Sequence, residues 1–484
     1  MSASGPSDRR FEWLVLIAYV LLVGFVAAHH EPWRDEADPW LYVRDLDLRT
    51  IVARTNYAGF PALWFLLLAP LPRLGLPYAS QQALNLCIAA AAVSLFLWRA
   101  PFPRWTRGLF TFSYFMAYEY SVIVRSYALS VLLIFWVAAT WRRRFEAPFW
   151  FALPMCLLFN ASAHSFLLAG IFLGMWTLEL ILRRERPGNR IVCAFALMAL
   201  AAMAAFVQLR RPPDAAVAAF RSHLSFEILP KALGGAFLPL VDPTLSIVPV
   251  LVLVALASMA LGRSRSGLIL LWGGMAALSF VFVAIYPGSL RHHGFYLVVL
   301  LAAFWVAAPD DAREAKGLET GWPRRATFVL LNLMLAASAL AAIRMWYLDV
   351  RYAFSGGEEM GRYIREERLD RYPIAAHFPI YTQAVLPYLK DHTRFWYPGT
   401  GEWGSFMTWD LAYERGLTVP FPDAVRRTTE QFGSRPYLLL LSAEMPAPAE
   451  QGYRLLYATH GKAFRDRNER FWLYAPVASA MPPP

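Results

Sequence analysis

RRFEWLVLIAYVLLVGFVAAHHEPWRDEA, residues Arg9 to Ala37, opens on two arginines, runs apolar from Phe11 to Ala28 with Glu12 its one charge, and turns polar at His29. An apolar helix of about 17–25 residues spans the roughly 30 Å of hydrocarbon in a bilayer. Arginines before such a run stay on the cytoplasmic side. The stretch therefore reads as a first transmembrane helix that delivers His29-His30-Glu31-Pro32-Trp33-Arg34-Asp35-Glu36-Ala37 to the outer surface. The small residues Ala27 and Ala28 also suit a signal peptide. Cleavage there would change little, because the next residue is already outside.

The rest of the chain agrees with a bilayer as solvent. Its 484 residues are 57% hydrophobic and 17% charged, with mean hydropathy +0.38, which is too apolar for an ordinary soluble enzyme. Candidate spans fall near 11–28, 81–98, 107–121, 126–141, 148–162, 165–182, 191–208, 246–262, 267–285, 294–308 and 326–346. Those near 107–121, 148–162 and 294–308 are short, which suggests tilted, broken or partly re-entrant helices. Every second connection is basic: Arg9 and Arg10; Arg99, Arg104 and Arg107; Arg142, Arg143 and Arg144; Arg183, Arg184, Arg186 and Arg190; Arg263 and Arg265; Arg313, Lys316, Arg324 and Arg325. The N-terminus is then cytoplasmic and, after eleven spans, the C-terminus is outside. The net charge of +11 is a topology signal on this reading, so no nucleic-acid partner is expected. The three cysteines, Cys87, Cys156 and Cys193, fall within apolar spans and imply no disulfide framework.

Three outward segments are large: loops 29–80 and 209–245, and the chain from 348. In the first, Trp40 to Arg54 mixes apolar and charged residues at helical spacing, as a helix lying in the interface would. Pro61 to Pro72 is too brief to cross. After Arg344 the composition turns soluble. Candidate strands Ile374–His377, Arg394–Tyr397, Tyr437–Leu441, Tyr453–Thr459 and Arg470–Tyr474 alternate with helical stretches 357–368, 380–391 and 422–433, which predicts a small α/β layer. The expected division is a membrane domain 1–347, an outer domain 348–475 and a disordered tail 476–484. There is no internal repeat and no low-complexity tract.

Adjacent carboxylates just beyond a membrane helix cost free energy unless paired or functional. One could deprotonate an acceptor while a cation such as Arg34 holds a phosphate; they could equally be interfacial charges that fix helix depth. The order of motifs adds a resemblance. A first helix followed by Trp33-Arg34-Asp35-Glu36-Ala37, then Tyr57-Ala58-Gly59-Phe60-Pro61-Ala62-Leu63-Trp64 before an apolar run, resembles the GT-C superfamily. It is most similar to the branch of the protein O-mannosyltransferases and the aminoarabinose transferase of lipid A. The match covers the topology and most of the first 180 residues, although Asn56-Tyr57-Ala58-Gly59 lacks the His or second Pro often seen there. The resemblance implies an α-helical polytopic membrane protein: a GT-C-like bundle of about eleven transmembrane helices with outer juxtamembrane helices, plus the small C-terminal extracytoplasmic α/β domain. It also implies an inverting glycosyltransferase that uses a polyprenyl-phosphate sugar donor in a bacterial-type cytoplasmic membrane. Asp35 would be the base and Glu36 its neighbour. Glu119, in Tyr118-Glu119-Tyr120-Ser121-Val122-Ile123-Val124-Arg125-Ser126-Tyr127, would be the second acid at the outer turn, with Arg125 and Tyr127 opening the next helix.

Later outer turns supply Asn160 and His164, then Arg291, His292 and His293. Arginine suits phosphate because its planar fork donates two parallel hydrogen bonds and stays charged, so Arg291 is the first phosphate candidate, with Arg125, His292 and His293 beside it. A histidine at a helix end is often only a structural hydrogen-bonder. In loop 209–245, Arg210, Arg211, Arg221, His223 and Lys231 surround Phe220, Phe226 and Leu229; the segment could close over an isoprenoid or meet anionic headgroups. Zinc-type spacings are absent and no metal or other cofactor is expected to be required. The acceptor could be a glycan, a lipid or a protein, and the outer-domain Trp396, Trp403 and Trp409 could stack on sugars or fill a core. Three rival readings remain: a flippase or transporter for lipid-linked sugars, an O-antigen-type ligase relying on outer-loop Arg and His, and a non-catalytic scaffold.

Overall fold

The computed structural model describes residues 6–184, 186–216, 224–308, 321–390, 392–461 and 463–477. Among them, eight helices are long and apolar enough to cross a membrane: Arg9–His29, Ser80–Arg99, Ala163–Arg183, Asn189–Leu209, Pro243–Ala260, Arg265–Ile285, Leu290–Ala307 and Trp322–Arg351. Three of the expected spans are shorter. The 107–121 stretch is a helix Arg104–Thr111 followed by a π turn Phe115–Glu119. The helices Tyr127–Thr140 and Pro148–Phe159 have 14 and 12 residues, a rise of about 21 and 18 Å at 1.5 Å per residue. Tyr127–Thr140 is almost wholly buried, where protein neighbours replace the lipid that a full-length span would need to face. The 294–308 span is longer than expected, because the turn Leu290–His293 leads directly into Phe295–Ala307.

The bundle packs around that last helix. Every residue from Phe295 to Val306 is buried, which explains why the segment is apolar on all faces rather than on one stripe. Gly294 sits at its mouth, where a Cβ would run into the Tyr120 hydroxyl and the Phe115 ring. Only glycine lets the 289–294 turn approach the 115–125 turn this closely.

The first loop departs from expectation. Instead of one interfacial helix Trp40–Arg54 there are two, Arg34–Asp45 and Leu48–Ala58, broken where Asp47 caps the second through the backbone N–H groups of Arg49 and Thr50. The first of these does not lie on the lipid surface: Glu36 to Val43 are buried, and Ala37, Trp40 and Leu41 share a core with Met360, Ile364, Val385 and Leu386 of the outer domain. The Pro61–Pro72 stretch forms the short helices Leu63–Leu68 and Pro70–Arg73.

In the outer domain, strands β1 (Ile374–Ala376), β2 (Phe395–Tyr397), β3 (Glu402–Gly404), β4 (Leu438–Leu441), β5 (Tyr453–Ala458) and β6 (Trp472–Pro476) form one sheet in the order β3-β2-β1-β4-β6-β5. β1 pairs in parallel with β2 and β4, and the remaining pairs are antiparallel. Five of these strands were expected. β3 was not, because its Glu402-Trp403-Gly404 is an exposed edge without an apolar run. Helices Gly357–Glu366 and Phe421–Phe432 match expectation, the 380–391 stretch is two short turns, and Leu411–Leu417 is additional. Of the expected tail, residues 478–484 lie outside the described residues.

Candidate active site

The site begins where the opening helix ends. Arg34 starts a new helix with Asp35 and Glu36 in its first turn, where the helix dipole favours negative charge. Asp35 faces three guanidiniums. Arg291 Nη2 lies 2.9 Å from Asp35 Oδ2. Arg125 Nη1 stands 3.8 Å from the same oxygen and donates to the Asp35 carbonyl at 2.6 Å. Arg34 Nε is 3.9 Å from Oδ1. Burial pushes the Asp35 carboxyl up, but Arg291, then Arg125 and Arg34, outweigh it and hold the group below the ordinary carboxylate range. The magnitudes explain the sign: a charge pair at 4 Å is worth about 4 kcal/mol at an effective dielectric near 20, and three such neighbours together offset a desolvation cost of several kcal/mol.

Glu36 is different. Its side chain is fully buried, accepts from the Val124 N–H at 2.7 Å and the Trp33 N–H at 3.3 Å, and pairs with His30 Nε2 at 2.9 Å. Glu36 therefore fixes the turn that carries Arg125. From the other side the Asn85 amide donates to the carbonyls of Tyr120 and Ser121 at 3.1 and 3.0 Å.

Glu119 is also fully buried, at the end of the π turn. Its carboxylate accepts from Tyr114 Oη at 2.5 Å and from Arg465 Nη2 at 3.2 Å. Arg465 belongs to the outer domain, and Glu119 is the first of the causes that raise its pKa. Arg34 also reaches that domain, donating to Asp466 at 2.7 Å and Glu469 at 3.1 Å. Burial lifts the Glu469 carboxyl to about 7 despite Arg34. The guanidiniums of Arg34, Arg291 and Arg465 stand 4.7, 5.8 and 6.0 Å from the Trp33 ring centre, so one buried indole gathers cations from three separate parts of the chain.

The histidines make local contacts. Ser289 N–H donates to His292 Nδ1 at 2.9 Å, which places the proton on Nε2, donating to Tyr127 Oη at 2.9 Å. His293 Nε2 lies 3.1 Å from the Pro287 carbonyl oxygen. His164 stacks on His292 and Phe295, with a buried Nε2 that has no partner. Tyr57 turns elsewhere, donating to Asp214 at 2.9 Å, in a segment pinned to the outer domain through Leu411 N–H on the Asp214 carbonyl at 2.8 Å. In the rest of that loop Ile228–Phe237 is a helix, while Phe220, Arg221 and His223 lie outside the described residues. Arg291 Nε is buried without a partner.

The structure thus brings Asp35, Arg34, Arg125 and Arg291 together, and links Glu119 to them through Arg465 and Trp33. Among the described residues no cluster of His, Cys, Asp or Glu has the geometry to hold a metal ion. Trp396 is buried in the outer domain beside Phe432, and Trp403 meets the same ring with its own 45% exposed. A hollow of about 950 Å³ is lined by Ala27, His30, Pro32, Arg44, Tyr78 and Tyr388 among others, and neither Asp35 nor Arg291 lines it.

Together these features define a polytopic integral membrane protein, and its fold is shared with a solved structure of ArnT. ArnT from Cupriavidus metallidurans, in a structure bound to undecaprenyl phosphate, superposes over 98% of this chain and 99% of its own, with a TM-score of 0.56 and 14% identity. Arabinofuranosyltransferase AftD from Mycobacteria covers 98% of this chain and 40% of its own, with a TM-score of 0.49 and 16% identity. No family model and no curated protein matches the sequence.

Proposed function

We propose that this chain is an inverting glycosyltransferase that takes a sugar from a polyprenyl-phosphate carrier and delivers it to an acceptor on the outer face of a bacterial-type cytoplasmic membrane. The observation that carries this reading is the convergence of one carboxylate, Asp35, with Arg125 and Arg291. The fold shared with ArnT, whose structure holds undecaprenyl phosphate, makes a lipid phosphate the natural partner of those cations.

In the reaction Asp35 accepts the proton of the acceptor hydroxyl or amine, whose lone pair attacks the anomeric carbon from the face opposite the phosphate. The bond from that carbon to the phosphate oxygen breaks, and the phosphate gains a second negative charge as it leaves. Arg291 and Arg125 stabilise that growing charge. Their present pairing with Asp35 has a consequence for catalysis: a carboxylate held by two arginines is a weak base. An incoming phosphate competes for the guanidiniums and frees the carboxylate, so basicity rises only when donor is bound. Glu119, held by Arg465, keeps the outer domain over the site.

Eleven passes with a cytoplasmic N-terminus suit this arrangement, since the contacts of Asp35, Arg125 and Arg291 put residues 35, 125 and 291 at one end of the bundle. The paired His292 and His293 weigh against a ligase that relies on free outer-loop histidines, and the lack of repeat halves weighs against a transporter. The test is reconstitution in vesicles with polyprenyl-phosphate-linked sugars. Covalent transfer with inversion supports the reading, whereas movement of intact donor across the bilayer would contradict it.

A further inference from the structure

His30 is buried, with a carboxylate on each ring nitrogen: Asp349 on Nδ1 at 2.9 Å and Glu36 on Nε2 at 2.9 Å. All three side chains are fully out of solvent. They join three elements: the end of the opening helix, the first turn of the helix carrying Asp35, and the last membrane helix, which supplies Asp349. The edge of the Phe354 ring closes the group from the outer-domain side.

Such a triad is a poor device for stability alone, because taking charges out of water costs more than an apolar replacement of similar volume would. It does give direction. An imidazole ring bonded at both nitrogens has one orientation, and the Glu36 oxygen it holds belongs to the same carboxylate that accepts the Val124 N–H at 2.7 Å. The next residue is Arg125, which donates to the Asp35 carbonyl at 2.6 Å. Hydrogen bonds therefore run from Asp349 through His30 and Glu36 to the Val124 N–H, and the backbone carries on from there to Arg125.

We infer that His30, braced by Asp349, is a positioning residue that places Arg125 for the donor phosphate by fixing Glu36 on the Val124 N–H. The inference rests on the reading of Arg125 as a phosphate-holding cation. His30 has no hydrogen bond to Asp35 or Arg125 among the described residues, and Glu36 is the side chain that links it to the turn carrying Arg125. Because Asn85 holds the same turn from the other side, loss of His30 loosens Arg125 without dismantling the turn.

The test is a double-mutant cycle on binding of undecaprenyl phosphate to the purified full-length protein in detergent. It uses His30→Gln, Asp349→Asn, Arg125→Ala and the two doubles with Arg125→Ala, with thermal unfolding measured for each. Residues that act through one another show strong non-additivity. The expected result is about tenfold weaker binding for each single variant, with His30→Gln/Arg125→Ala no more than about twofold weaker than Arg125→Ala alone. Wild-type affinity in folded His30→Gln and Asp349→Asn, or effects that multiply in the doubles, would overturn the positioning role while leaving the transferase reading intact. Wild-type affinity in Arg125→Ala would instead remove Arg125 from the phosphate site, and the inference with it. If His30→Gln does not fold, Asp349→Asn carries the cycle, since its amide keeps the shape of the carboxylate.

Discussion

Arg291 closes to 2.9 Å on the Asp35 carboxylate across a gap of more than 250 residues in sequence, and Arg125 stands 3.8 Å from the same oxygen. The cation that would hold a leaving phosphate is thus the cation that restrains the base. Removing Arg291 should then have two separable effects. Arg291→Ala should lower kcat/KM for transfer by about 10²–10³, the cost of losing one donor to a developing oxyanion. Arg291→Lys should recover part of that but not the paired hydrogen bonds of the fork.

The pH profile separates these effects. Asp35 is held below its ordinary range chiefly by Arg291 against the push of burial. In Arg291→Ala burial is less opposed, the carboxyl pKa rises, and the acid limb of kcat/KM moves to higher pH. The sign is fixed, because losing a cation can only favour the protonated acid. An acid limb that stays in place would mean that another group carries it.

Glu119 and Arg465 should behave as a unit. Arg465→Met leaves the fully buried Glu119 carboxylate without its cation, a situation that costs about 3–5 kcal/mol in other buried pairs, whereas Glu119→Gln leaves an Arg465 side chain that is 22% exposed and costs less. The double variant should unfold at a higher temperature than either single one in the same detergent. Additive losses would show that the two side chains do not interact.

Glu31 gives a stability prediction independent of catalysis. Burial first, then Glu358, lifts its carboxyl to about 7, above its unfolded value, so its contribution to stability is full below about pH 4.5 and is lost as pH rises through about 7. Glu31→Gln should raise the melting temperature by roughly 3 °C at pH 8 and leave it unchanged at pH 4.5. Equal shifts at both pH values would contradict the assignment.

Much of this architecture is legible in the sequence because it follows from local pattern. The run from Phe11 to Ala28 needs no partner to be read as a membrane helix, and the alternation of arginine-rich connections orders the chain around it. The carboxylates at Asp35 and Glu36, and the arginines at 125 and 291, stand out because charge at the bilayer rim is costly. Only the resemblance, and no local pattern, set Asp35 apart as the base from its neighbour Glu36. Nothing local separates Asp35, which faces three arginines, from Glu36, which is consumed in holding His30 and Val124.

The other omissions share one cause. Arg465 reaches Glu119 across 346 positions, and Asp349 reaches His30 across 319, distances over which composition carries no signal. The run Arg465-Asp466-Arg467-Asn468-Glu469-Arg470 carries no apolar residue, yet the Glu469 side chain is fully buried against Arg34. The reading of Trp40–Arg54 as one interfacial helix failed because its apolar face meets the outer domain instead of lipid, a surface the first loop alone does not announce.

The central claim meets its most direct test in Asp35→Asn. Asparagine keeps the size and much of the hydrogen bonding of the side chain but cannot take a proton at neutral pH. In reconstituted vesicles supplied with a lipid-linked sugar donor and its acceptor, the variant should retain undecaprenyl phosphate binding while transfer falls by at least about 10³. Transfer at the wild-type rate from the same amount of folded protein would contradict the account.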